Sequence, residues 1–120
     1  MKQFFTLPLR LPDFNEYDNA ARSHWAKAAT LKKENTEAAC WMIKNKVKPI
    51  TAAHFRFTWI EPKTGRGRDP DNIAGIGQKI IFDALQMAGI LANDGRKQVL
   101  SIHHDFKTGE RYEVIVEMED

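Results

Sequence analysis

The sequence predicts an α/β (α+β) fold: a single domain with a small mixed β-sheet packed by two main helices, in β-α-β-α-β-β order. Three observations predict it. Strand-type alternation recurs near the start, in the middle and twice near the end; helical spacing fills the two intervals between; and 120 residues, 42% apolar and 28% charged, suit one globular domain with its own core.

Residues 2–10 read as the first strand, with Phe5, Leu7 and Leu9 alternating against Phe4, Thr6 and Pro8. Pro8 places it at a sheet edge or marks its end. Pro12, Asp13, Asn15 and Asp18 are loop and capping types. From about Tyr17 to Lys46 the spacing is helical and free of Gly and Pro, which gives one long helix, or two with a bend near Asn35-Thr36 where Thr36 caps the second piece. Pro49 ends the region, and residues 50–60 alternate as a strand with Ala53, Phe55, Phe57 and Trp59 on one side. Residues 61–68 form a basic, glycine-containing loop. A helix follows from about Asn72 to Ala88, with Ile73, Ile76, Ile80, Ala84 and Met87 as its apolar stripe and Gly89 as its stop. Strands over 98–106 and 111–118, joined by Lys107-Thr108-Gly109-Glu110, read as a β-hairpin.

One cysteine, Cys40, excludes a disulfide framework and a cysteine-based zinc site. No apolar run approaches a membrane span and no signal-peptide core opens the chain, so the cytoplasm is the expected compartment. The net charge of +2 divides unevenly, into +5 over residues 1–60 and −3 over residues 61–120. The first half therefore suits a polyanion, and the second collects carboxylates.

Chemistry concentrates at Asp69-Pro70-Asp71-Asn72. Alternate residues of an extended segment share a side, and Pro70 keeps Asp69 extended, so Asp69 and Asp71 can converge. Asp71 is alternatively the helix N-cap, with Asp69 an ordinary loop acid. Lys79 and Asp83 stand four apart on the helix, either as a solvated ion pair or with the lysine reaching toward phosphate. Asp94, in the Asn93-Asp94-Gly95 loop, is a turn residue or a third acid.

Taken together, Asp69-x-Asp71-Asn72, Lys79, Asp83-Ala84-Leu85, Gly89 and Asn93-Asp94 resemble the RusA family of Holliday-junction resolvases, most specifically over residues 66–95. Asn15-Glu16-Tyr17, Arg22 and Lys32-Lys33 are similar to phage-type members. The resemblance implies a single RusA-like endonuclease domain over residues 1–120. Its activity would be Mg²⁺-dependent, structure-selective hydrolysis of DNA phosphodiesters in Holliday junctions or related branched DNA, in recombination and repair. It implies Asp69, Asp71, Asp94 and Lys79 as catalytic residues, and Asp69, Asp71 and Asp94, with Asp83, as ligands of Mg²⁺, for which Mn²⁺ can substitute. It also implies a homodimer, a phage or prophage source in a bacterial host, and no membrane or nucleotide cofactor. Two departures stand out: Ala74-Gly75-Ile76-Gly77 sets Lys79 one helical turn further from the Asp pair than in the founding members, and Asn93 stands where an acid is common.

DNA contacts are expected from Lys63, Arg66 and Arg68 in the loop, from Lys32 and Lys33 on the long helix, and from Arg96. Trp25, Trp41 and Trp59 are expected in the core, with exposed aromatic or Met residues of the long helix left for a dimer interface. His103 and His104 should face opposite sides of a strand. The alternative function is a non-catalytic branched-DNA-binding protein with a structural or vestigial metal site. A third reading is a protein-interaction module with an acidic patch.

Overall fold

Which residues alternate decides which face of the sheet is dry. In the computed structural model, which describes residues 1–63 and 67–120, the elements run β1 (Lys2–Leu7), α1 (Phe14–Ser23), α2 (Trp25–Ile43), β2 (Ala53–Pro62), α3 (Pro70–Met87), β3 (Val99–Gly109) and β4 (Glu113–Glu119). Phe5 and Leu7 of β1, Ala53, Phe55, Phe57 and Trp59 of β2, and Val114, Val116 and Met118 of β4 are buried together. Ile73, Ile80, Ile81, Ala84 and Leu85 of α3 and Ala39 and Ile43 of α2 close over them. Phe82 meets Phe55 and Phe57 edge-on, with ring centroids 5.1 and 5.7 Å apart. The expected α+β class, with a mixed sheet in one domain, is what the structure has.

The sheet order is β1-β4-β2-β3. β1 pairs antiparallel with β4, β4 antiparallel with β2, and β2 parallel with β3, with α3 as the crossover. The edge position read from Pro8 holds, since β1 is an outer strand that ends at Leu7.

Three expectations are corrected. The C-terminal hairpin does not form: β3 runs on to Gly109, and β4 crosses the end of β2 to lie between β1 and β2. Burial explains the exchange, because β4 hides Val114, Val116 and Met118 on both neighbours, whereas β3 is largely exposed. The long helix breaks at His24, not at Asn35-Thr36. His24 is extended, its N–H bonds the Ala20 carbonyl at 3.0 Å and its Nδ1 accepts the Ala26 N–H at 3.1 Å, so one residue ends α1 and caps α2. Thr36 lies inside α2 and donates its hydroxyl to the Lys32 carbonyl at 2.7 Å. Finally, α3 begins at Pro70, not Asn72, with Asp69 as its N-cap.

Gly75 and Gly77 do not interrupt α3. At Gly77 the reason is close packing: a Cβ there would stand 2.8 and 2.9 Å from the Trp59 ring. Gly89 ends the region in the left-handed conformation at φ 75°. No helix among the described residues is long and apolar enough to cross a membrane.

Candidate functional site

Proline suits the first position of a helix, and it drives the preceding residue out of the α region. Asp69 accordingly sits extended at φ −68°, ψ 146°, and Asp71 falls in the first turn of α3. The pair is therefore presented by a helix start, not by an extended segment. Asp69 makes no side-chain capping bond, and among the described residues Asp71 accepts only the neighbouring Asn72 N–H, at 3.0 Å. Asn72 turns its amide oxygen to the Asn15 N–H at 3.0 Å, which ties the first turns of α1 and α3 together. Phe14, Asn15, Asp69, Asp71 and Asn72 line one open pocket. None of the ion pairs among the described residues engages Asp69 or Asp71.

Lys79 and Asp94 form a second cluster. The Lys79 ammonium donates to Asp94 Oδ2 at 2.8 Å and lies 3.3 Å from Asp83 Oδ1. Lys32 Nζ pairs with the other oxygen of Asp83 at 3.0 Å. The hydrogen bond to Asp94, with the Asp83 carboxylate beside it, holds the Lys79 ammonium above the ordinary lysine range. Asn93 does not stand in for an acid here; its side-chain oxygen accepts the Asp94 N–H at 2.8 Å.

The expected single group of acids is thus divided. Asp69 and Asp71 share a pocket, while Asp83 and Asp94 gather around Lys79, eight residues and about 12 Å further along the helix axis. Residues 74–77 are continuous helix, which separates Lys79 from the pair. Among the described residues, no set of three or more His, Cys, Asp or Glu is arranged to hold a metal ion. The donor chemistry at the pair still suits Mg²⁺, which is commonly held by one or two carboxylates, with waters and phosphate oxygens completing six positions.

The expected basic residues divide as well. Lys63, Lys33 and Arg96 are exposed, and Arg66 lies outside the described residues. Arg68 differs from expectation: its guanidinium bonds Glu61 Oε2 and the Leu11 carbonyl (2.9 Å), lies 3.7 Å from Asp13, and stacks on Tyr112 at 5.6 Å. Only 14% of that side chain is exposed, so it pins the loop that delivers Asp69 against β2 and the start of α1. Arg10 takes the other contact on Tyr112, also at 5.6 Å, and pairs with Glu16. The hydrogen bond from Arg10 holds the Glu16 carboxyl below its usual range. The sequence carried a signal for this network in Asp13-x-x-Glu16, a capping box in which the Asp13 side chain accepts the Glu16 N–H at 2.8 Å.

A polar bridge under α3 had no such signal. Trp59 Nε1–H donates to His104 Nδ1 at 2.9 Å, and His104 Nε2 meets Gln78 Oε1 at 2.8 Å. Neutral histidine with its proton on Nε2 satisfies both contacts. Burial, with His103 alongside, pushes the His104 pKa down. Trp59 is buried as expected, but Trp25 and Trp41 are corrected to the surface, at 75% and 78% exposure. Compared with known proteins, the chain matches no family model and no curated protein.

Proposed function

We propose that this chain is a Mg²⁺-dependent, structure-selective endodeoxyribonuclease that hydrolyses Holliday junctions or related branched DNA, like the RusA resolvases it resembles. The observation that carries the reading is the Asp69–Asp71 pair: two exposed carboxylates, outside every ion pair among the described residues, lining one pocket at a helix start. Asp69 and Asp71 would hold the ion, which when bound supplies Lewis-acid activation of water and charge stabilisation at the leaving oxygen.

The remaining steps belong to the chain's own residues. The positive end of the α3 dipole favours an anionic phosphate beside the pair, although Pro70 brings no N–H and the Asn72 N–H is held by Asp71. Asn72, held by the Asn15 N–H, fixes the orientation of that turn. Arg68 fixes the approach of Asp69 through Glu61 and Leu11. Lys63, Lys33 and Arg96 attract the polyanion, with an affinity that falls steeply with salt. Lys79 stays cationic at neutral pH and contacts backbone phosphate about two helical turns away from the pair. The proposed assembly is a homodimer, since two symmetric cuts need two sites. The proposed setting is the cytoplasm of a bacterial host, with a phage or prophage source.

One observation favours the second reading, a branched-DNA binder that does not cut: Asp94 is engaged by Lys79 and stands apart from the pair. Thermal melting with Mg²⁺ or Mn²⁺ tests the shared premise of a metal site. The melting point should rise at millimolar metal and the rise should vanish in Asp71→Asn, since a ligand at 100 times its Kd stabilises by about 2.7 kcal/mol. An unchanged wild-type curve refutes the metal site.

A further inference from the structure

We infer that β3 is a self-pairing edge through which two copies of this chain join their sheets antiparallel, about a twofold axis at His104. This does not depend on the nuclease reading, since neither metal nor DNA enters it.

β3 has 11 residues, about twice the usual strand length, and contains no proline. It ends the sheet order, so among the described residues its outer edge pairs with no strand. Long free edges are templates for pairing, and proteins normally shorten, bulge or cover them. In the register with β2, Ile102, His104 and Phe106 oppose Phe55, Phe57 and Trp59, which places them on the helix side of the sheet. Leu100, Ile102 and Phe106 nevertheless remain 49, 42 and 40% exposed, forming an apolar strip along that edge.

The strand is complementary to its own reverse. His104 is the midpoint of Val99–Gly109, so a twofold axis there pairs the regular run Ser101–Lys107 with itself; the register with β2 shifts at Leu100, outside that run. Ile102 then faces Phe106 of the second copy on the helix side. On the other side His103 faces Asp105, which already holds Arg56 and His103 of its own copy at 3.2 Å, Ser101 faces Lys107, and no like charges meet. Centring on Asp105 instead would oppose Asp105 to itself and His103 to Lys107. Centring on His103 would leave Asp105 against serine and Ile102 against His104, whereas centring on His104 opposes two rings that are each held by Trp59 and Gln78 of their own copy. A twofold axis normal to the sheet keeps faces matched, so both α3 helices lie on one side of an eight-stranded sheet.

The test uses the full chain in sedimentation, with a nitroxide on Lys107→Cys in a Cys40→Ala background. The wild type should be dimeric at micromolar concentration. Labels at 107 lie three residues from the axis on each copy, so their separation should be about 20 Å. Phe106→Lys should weaken association by about 30-fold or more, whereas Trp41→Lys on α2 should leave it unchanged. A monomeric wild type, a dimer whose 107 labels lie far beyond that distance, or loss of the dimer in Trp41→Lys but not in Phe106→Lys, each overturns the proposal. If Phe106→Lys fails to fold by circular dichroism, the label distance decides alone.

Discussion

Gly77→Ala and Gly75→Ala, taken as a pair, isolate the seat of α3 on the sheet. Both are interior positions of one helix, so both gain about 1 kcal/mol from the change in helix propensity. They differ in what the new methyl meets. At Gly75 nothing lies within 4 Å, whereas at Gly77 the methyl would stand 2.8 and 2.9 Å from two atoms of the Trp59 ring. That ring cannot step aside: it is buried, stacks on Phe57 with centroids 5.7 Å apart, and donates its N–H to His104 at 2.9 Å. Overpacking of this kind costs about 1–3 kcal/mol. Gly75→Ala should therefore stabilise by about 1 kcal/mol. Gly77→Ala should fall below it by the overpacking cost alone, because the propensity gain cancels between the two. Urea unfolding followed by far-UV circular dichroism measures both, with equal slopes as the check that the denatured state is unchanged. Equal stabilisation by the two variants would refute the close contact of α3 with Trp59, and with it the placement of the Asp pair at the end of that helix.

Other expectations follow from the same contacts. Arg68→Ala should destabilise by about 3 kcal/mol, because it strands the half-buried Glu61 carboxylate, and Arg68→Lys should recover only part of this in the same unfolding assay. Lys79→Met, at a half-exposed position, should cost about 1 kcal/mol or less in stability while lowering DNA affinity and its salt dependence; an unchanged salt slope would remove Lys79 from the DNA surface. His104 is neutral in the fold with its pKa pushed below the ordinary 6.5, so the unfolded chain binds the extra proton first. Stability from this group is present above about pH 6.5 and is lost as the pH falls below it. Melting of wild type against His104→Gln across pH 5–7.5 should show a shallower acid loss in the variant, and identical slopes would exclude His104 as the cause.

Local pattern carried much of the fold because burial and alternation are read residue by residue. β2 is legible from Phe55, Phe57 and Trp59, and the body of α3 from Ile73, Ile80 and Ala84. Pairing partners are different, since they depend on competition between distant strands. Thr108-Gly109 resembles a turn, yet β3 continues through Gly109 in register with β2, and the more apolar β4 pairs with the other side of β2 and with β1. The helix break escaped notice because histidine is an uncommon cap, and only the structure shows His24 Nδ1 accepting the Ala26 N–H. At the site, the spacing of Asp69 and Asp71 was enough to bring them to one pocket, though by a helix turn and not an extended strand. Asp94 depends on how a loop returns along α3, and nothing in its local sequence foretold that it would meet Lys79 rather than the pair. Arg68 read as a surface cation because its partners, Glu61, Asp13 and Tyr112, come from three other segments.

Cleavage of a synthetic four-way junction tests whether Asp69 and Asp71 serve the proposed metal-dependent phosphodiester hydrolysis. With Mg²⁺ or Mn²⁺ the wild type should nick the junction in preference to linear duplex. Asp71→Asn should bind the junction equally well but cut it at least about 100-fold more slowly. Failure of the wild type to nick any branched DNA with either metal, or an Asp71→Asn variant that cuts as fast as wild type, would contradict the claim.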